Sequence, residues 1–262
     1  MVRSDKDAEK LSALPNVQVV PGDFTDSTSI EKALSGIERA FLLTNSSEQA
    51  EVLQCNFVQI AQQAGVKHIV KLSQFAADEN SPVRFLRYHA AVEQAVWESG
   101  LAYTFLRPNL FMQGLLGFRK TIVEQGMFFA AVGEARVSVI DVRDIAAIAA
   151  KALTEPDHEG KTYTITGPEA LTHAEMAARL AEAIGRQVTF VDVSPAAMRQ
   201  ALVATGFPDW QTDGLIEDYA HYSRNEASSV TSTVQEILGR PPRTFANFIL
   251  DYASFFQNIA KE

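Results

Sequence analysis

One histidine stands where its chemistry could be used. His89 lies in the run RFLRYHAAVEQAVWESG (84–100), where Phe85, Leu86, Ala90, Val92, Ala95 and Val96 recur at helical spacing and Gly100 stops the run as a C-cap would. An imidazole near neutrality can polarise a carbonyl or donate a proton. Glu93, one turn further on, can orient that ring or be a solvated helix acid. A short apolar strand follows at Leu101–Leu106, and Pro108, which has no ladder donor, ends it. Ligands of open α/β sheets bind beyond the carboxyl ends of strands, which places Arg107, Asn109, Phe111 and Gln113 at the same site.

Other reactive residue types have no such setting. The five histidines, His68, His89, His158, His173 and His221, lack a metal-ligand spacing such as HExxH, and no serine sits in a GxSxG turn. Cys55 is the only cysteine, so an intramolecular disulfide is excluded; its place in an amphipathic helical pattern reads as a small core residue. Lys71, inside the strand HIVKLS, either sits near the crevice or is a snorkelling surface lysine, the commoner case. No GxGxxG or Walker pattern joins a strand to a helix, so the usual backbone cradle for a pyrophosphate is missing.

The elements that must position these residues alternate along the chain. VQVV (17–20) predicts a strand ended by the turn Pro21-Gly22-Asp23, and Thr25 or Asp26 caps a helix from Ser27 to Leu34. RAFLLT (39–44) and HIVKLS (68–73) are strands flanking a helix over 49–65. With Tyr103–Arg107 these make four strands separated by helices, which implies parallel pairing through right-handed crossovers. Residues 115–131 predict a helix plus loop over the crevice, Arg136–Ile140 a short strand, and Asp141–Leu153 a helix closed by Pro156. KTYTIT (161–166) is an alternating strand; Thr172 and Glu175 form a capping box for a helix over 173–184, and Gly185 ends it. VTFVDV (188–193) is a further strand, and the remainder is mainly helical, with a last helix over Thr244–Ile259. Its aromatic residues Trp210, Tyr219, Tyr222, Phe245, Phe248, Phe255 and Phe256 are either core or a cover for an apolar substrate.

At 262 residues and 47% hydrophobic content the chain can bury a full core. A net charge of -9 without a cluster of Lys and Arg argues against nucleic-acid binding. No apolar run reaches the roughly 18 residues of a membrane span, and the N-terminus has no signal-peptide core, so a cytoplasmic protein is expected.

Taken in order, GDFTD (22–26), AFLLTN (40–45), GVKHIVKLS (65–73), ESGLAYTFLRPNLFMQ (98–113), VIDVRDIAAIAAKAL (139–153) and KTYTITGPEALTHAEMA (161–177) resemble the NmrA-like atypical short-chain dehydrogenase family. Its members include quinone and triphenylmethane-dye reductases, isoflavone-reductase-like enzymes, and regulators that bind the nucleotide to sense redox state. Against that pattern about 35 to 40 residues are wanting at the front, the length of a strand-helix unit carrying the glycine-rich turn. The resemblance thus implies an α/β fold, a Rossmann-like doubly wound parallel sheet, N-terminally truncated, with a smaller, mainly helical C-terminal lobe. Residues 1–112 and 136–168 would form the nucleotide-binding core, and 113–135 and 169–262 the lobe covering the substrate.

Carried over residue by residue, the resemblance implies a cofactor track. Arg3 matches the position that meets the adenosine 2′-phosphate, which favours NADP(H) over NAD(H), although the missing cradle predicts weak binding or none. Asp23 and Phe24 match the adenine side, Thr44 and Asn45 the ribose, and Ser73 and Gln74 the next strand end; Pro108, Asn109 and Phe111 match the loop beneath the nicotinamide. His89 sits where the quinone-reductase branch has histidine and isoflavone-reductase-like members have lysine, and there it would protonate or polarise a small apolar quinone or carbonyl after hydride transfer. Tyr88 does not complete the tyrosine–lysine dyad of short-chain dehydrogenases, because Val92 stands four residues on. The same crevice in a non-catalytic sensor would instead report to a protein partner.

Overall fold

The computed structural model describes residues 1–257. In chain order the elements are α1 (Asp5–Ser12), α2 (Ser27–Leu34), β1 (Arg39–Leu42), α3 (Ala50–Gln63), β2 (His68–Leu72), α4 (Arg84–Glu98) and β3 (Ala102–Pro108). A 3-10 turn (Met112–Phe118) leads into α5 (Arg119–Gln125), β4 (Met127–Ala130), β5 (Arg136–Val137), α6 (Val142–Thr154), β6 (Lys161–Ile165) and β7 (Leu171–Thr172). Then come α7 (His173–Ile184), β8 (Thr189–Asp192), α8 (Pro195–Ala204), α9 (Asp209–Ser223), α10 (Thr233–Leu238) and α11 (Phe245–Gln257).

The main sheet has the order β1-β2-β3-β6 and is parallel throughout. Because side chains alternate across a strand, each strand divides its residues between two cores. Ile69 and Phe105 pack with Phe57, Ala61, Val92 and Val96 of α3 and α4 on one face. Val70 and Leu106 pack with Ile145, Ile148 and Ala152 of α6 on the other. Helices on both faces make this a Rossmann-like α/β layer structure. A third cluster gathers Ile122, Phe128, Leu180, Phe245, Phe248 and Phe256, joining β4, α7 and α11 beside the carboxyl ends of the main sheet.

Local signals set several helix ends as expected. Asp26 accepts from the Thr28 amide at the start of α2, Asp141 accepts from the Arg143 amide at the start of α6, and Thr172 with Glu175 closes a capping box on α7. Gly185 ends α7 at φ 68°, a left-handed conformation that costs glycine nothing.

Three expected elements differ. Val17–Val20 is not a strand: its neighbour is Val2 alone, whose amide donates to the Val20 carbonyl (2.9 Å) while Gly22 donates back (2.9 Å), and a one-residue bridge cannot sustain a ladder. The helix-plus-loop over 115–131 ends in a strand, Met127–Ala130, stabilised by a distant parallel partner, β8. The strand expected at Arg136–Ile140 is only two residues long and runs antiparallel to β7. The last helix begins at Phe245, and its expected final residues Asn258 and Ile259 lie outside the described residues. Among the described residues no helix is long and apolar enough to cross a membrane.

Candidate functional site

Two concavities lie along the carboxyl ends of β1, β2 and β3. The larger, about 940 Å³, is lined by Arg3, Asp23, Phe24, Thr44 and Asn45. The smaller, about 320 Å³, is lined by Ser73, Gln74, Pro108, Asn109, Phe111 and His89. Thr44 and Ser46 line both, so the two form a continuous track. His89 and every residue of the expected cofactor track therefore fall on it, but several are engaged differently from the expectation.

At the wide end, Arg3 is exposed. Asp23 accepts hydrogen bonds from the Thr25 amide (2.8 Å) and hydroxyl (2.7 Å), which hold its carboxyl below the ordinary range, with a smaller attraction from Arg3. Phe24 stacks on Phe57 with ring centroids 5.4 Å apart, which fixes its position in the wall. Thr44 accepts from the Gln54 amide at 2.8 Å.

The narrow end is governed by a buried polar cluster between the sheet and α4. Alternation along β2 and β3 directs Lys71, Ser73 and Arg107 to the same face as Ile69 and Phe105, where His89 and Glu93 stand one turn apart on α4. Glu93 does not orient His89, nor is it solvated. It is buried, accepts from the Ser73 hydroxyl, and takes two bonds from Arg107, Nε at 3.0 Å and Nη2 at 2.5 Å. Arg107 is thereby turned away from the cavity, its guanidinium made still more basic by the bond to Glu93. Lys71 is not a surface lysine: it is wholly buried, its Nζ lies 2.8 Å from His89 Nδ1, and it donates to the Leu72 carbonyl at 3.1 Å. Burial pushes the Lys71 ammonium down to about 7, against the pull of Glu93. The His89 imidazole is held well below its ordinary value by burial, then by the charges of Lys71 and Arg107, so it is neutral at neutral pH.

Other contacts define what remains available to a ligand. Asn109 lines the cavity, yet its amide donates to the Ser138 hydroxyl (2.7 Å) and the Ala227 carbonyl (2.8 Å) and accepts from the Leu110 amide (2.8 Å), so it secures the loop after β3. Gln113 leaves the crevice altogether: it bonds Asp141 (3.0 Å) and the Val142 amide (3.1 Å), pinning the start of α6. Tyr88 and Asp218, neither of them expected here, complete the lining beside Tyr222 of the aromatic set. Tyr88 shares a hydrogen bond with Ser46 (3.1 Å), and burial pushes it up to about 12. Asp218 of α9 accepts from Tyr222 Oη (2.7 Å) and Gln74 Nε2 (3.0 Å). The 218/222 spacing reads as one helix face, but nothing in the sequence ties that face to Gln74.

A neutral imidazole whose Nδ1 is occupied presents Nε2 to the cavity. Around it are aromatic walls, an engaged acid on α9 and no cluster of three His, Cys, Asp or Glu able to hold a metal among the described residues. Such a site can donate one hydrogen bond, or one proton, to an oxygen or nitrogen of a flat apolar ligand.

The sequence profile of the NmrA-like family matches residues 1–249. The chain belongs to the NmrA-like family. Within it, this member is 39% identical over 256 residues to an NAD(P)H azoreductase of Xenophilus azovorans, covering 98% of this chain and 89% of that one. The crystal structure of an NADPH-dependent quinone oxidoreductase from Escherichia coli, complexed with NADPH, superimposes with a TM-score of 0.84 at 30% identity, over 94% of this chain and 87% of that one. A Citrobacter triphenylmethane reductase complexed with NADP(H) gives a TM-score of 0.84 at 28% identity, over 96% of this NmrA-like chain and 88% of that one.

Proposed function

We propose that the protein is an NAD(P)H-dependent oxidoreductase that reduces a small apolar acceptor, a quinone or carbonyl compound, with NADPH as hydride donor. The observation that carries this reading is the continuity of the track, which runs from Arg3 at one end, through Thr44 and Ser46, to His89 at the other.

The residues present fit an elongated dinucleotide with an anionic end. Arg3 would meet a 2′-phosphate, to which a guanidinium can make paired, charge-assisted bonds; Asp23 and Phe24 would take the adenosine. Thr44 and Asn45 would take the ribose, Ser73 and Gln74 would line the next strand end, and Pro108, Asn109 and Phe111 would lie beneath the nicotinamide. When bound, the cofactor supplies the hydride. His89 Nε2 would bind the acceptor heteroatom and protonate it, while Tyr88, Phe111 and Tyr222 would exclude water and hold the acceptor flat. An azo nitrogen would accept the same bond, and the similarity to an azoreductase supports that extension.

The test is direct. NADPH and NADH are titrated by fluorescence, and loss of the reduced nicotinamide absorbance is followed with a quinone for wild type and His89→Ala. NADPH is expected to bind more tightly, and the variant to lose about a hundredfold in kcat, a typical contribution of a positioned proton donor. Binding without wild-type turnover would point to a sensor; undiminished turnover in the variant would remove His89 from the reaction.

A further inference from the structure

The Lys71–His89 contact has no place in a site where histidine acts alone. Nζ and Nδ1 lie 2.8 Å apart, and a charged ammonium has no lone pair to accept with, so Lys71 in its charged form is the donor both to the Leu72 carbonyl and to the ring. That fixes His89 as the Nε2–H tautomer, with its one proton facing the cavity. A neutral imidazole that gave this proton away unaided would be left as an imidazolate, which is far too basic to form near neutrality. The transfer is feasible only if Nδ1 gains a proton in the same step, and Lys71 is the group placed to give it.

Resting on the reductase reading, we propose that Lys71 is a relay residue, whose ammonium resupplies through Nδ1 the proton that His89 delivers to the acceptor from Nε2. As the acceptor takes the hydride, its heteroatom–H bond forms and the His89 Nε2–H bond breaks. At the same time the Nδ1–H bond forms and one Lys71 Nζ–H bond breaks. The acceptor has then gained a hydride and a proton, the ring remains neutral in its other tautomer, and the ammonium has become an amine. Once product leaves, Nε2 takes a proton from solvent entering the cavity and Nδ1–H returns to Nζ.

The surroundings suit that task. The titratable groups facing Lys71 are His89 and Glu93 of α4, Cys55 of α3 and Arg107 of β3; Glu93 and Cys55 favour its charged form, while Arg107 and burial oppose it. The balance leaves an ammonium that gives up a proton near pH 7, whereas an exposed lysine holds it to about 10. A methionine would fill the same volume without the cost of burying a charge, so the lysine is not there for packing.

The experiment uses the full chain as wild type, Lys71→Met and Lys71→Arg. Nitrogen NMR of histidine-labelled protein reads the tautomer directly, and kcat for NADPH oxidation with a quinone is followed across pH. His89 is expected as Nε2–H in wild type and in Lys71→Arg, and as a mixture in Lys71→Met. Both variants should lose at least about tenfold in kcat, less than the roughly hundredfold or more that general acid catalysis contributes in full because His89 itself is retained, with KM for NADPH unchanged. Lys71→Arg is the decisive case, because a guanidinium keeps the charge and the hydrogen bond but does not release a proton at these pH values. Wild-type kcat should fall as pH rises through about 7, the value to which burial brings Lys71. Thermal midpoints at or above wild type for Lys71→Met would show that the loss is not unfolding. Wild-type turnover in Lys71→Arg, or an unchanged tautomer in Lys71→Met, would overturn the relay. A wild type without turnover would instead fail the reductase reading, and the relay with it.

Discussion

Asp218 gives a quantitative test of the cavity's electrostatics. It is 7% exposed, and burial raises its carboxyl from an ordinary 3.8 to about 6 despite the hydrogen bonds from Tyr222 and Gln74. At about 1.4 kcal/mol for each tenfold change in proton affinity, that rise amounts to about 3 kcal/mol. The folded state binds this proton more tightly than the unfolded chain. Below about pH 4 both states are protonated and Asp218 costs nothing; stability is then lost as pH rises to about 6, and above that the full penalty is present. An asparagine side chain mimics the protonated acid and still accepts from Gln74, so Asp218→Asn should match wild type near pH 4 and exceed it by up to about 3 kcal/mol at neutral pH. Urea denaturation of both proteins at several pH values gives the difference, in which every other titration cancels. A difference independent of pH, or a variant less stable at neutrality, would refute the assignment of a desolvated carboxylate to this wall.

Three further outcomes follow from specific contacts. Arg107→Met leaves the Glu93 carboxylate buried without its cation and should cost about 3–5 kcal/mol in urea denaturation, most of it recovered when Glu93→Gln is added. Arg3→Ala should weaken NADPH binding by about tenfold or more, the worth of a hydrogen bond to a charged group, while leaving NADH binding unchanged; equal losses for both would place Arg3 away from a 2′-phosphate. Gly167→Ala should destabilise by about 1–3 kcal/mol or more, because the added Cβ would stand 2.1 Å from the Val139 carbonyl oxygen, a backbone atom that cannot swing aside. Thermal or urea unfolding measures that loss.

What could be read without coordinates was whatever depends on neighbours in sequence. The helix over 84–98 and the capping box of Thr172 and Glu175 are local devices, and both appear. Strands with helical crossovers at Arg39, His68 and Ala102 follow from alternation and turn chemistry, and they pair in parallel. Val17–Val20 has the composition of a strand but not a partner, and composition cannot supply one. Met127–Ala130 has a partner sixty-odd residues away in β8, which no local pattern announces. The site divides in the same way. Its outline along the strand ends was legible from the fold class, whereas Asn109, Gln113 and Arg107 proved to be bonded to Ala227, Asp141 and Glu93, commitments made across the tertiary structure. For Lys71 the sequence leaves crevice and surface both open, because a lysine flanked by apolar residues looks the same whether its amine reaches water or a histidine, and the structure decides for the histidine.

The buried cluster also shows why one basic group, and not another, is left to titrate. Between the sheet and α4 stand two cations, Lys71 and Arg107, and one carboxylate, Glu93. A guanidinium matches both carboxylate oxygens at once, whereas an ammonium is a point charge, so Arg107 takes Glu93 and Lys71 is left with a carbonyl and an imidazole. Its bond to Glu93 makes Arg107 harder to deprotonate, while burial first, and the Arg107 charge to a smaller degree, makes Lys71 easier, with Glu93 pulling the other way. If Glu93 and Arg107 modulate what burial does to the Lys71 ammonium, releasing Glu93 must move it. In Arg107→Met the carboxylate loses its partner, one repelling cation is gone, and both changes favour the charged lysine, so the fall of kcat with rising pH should shift to higher pH. Adding Glu93→Gln removes the attraction and should return the fall toward its original position. A pH profile indifferent to both substitutions would mean that Lys71 does not feel this ion pair, and that burial alone sets its acidity.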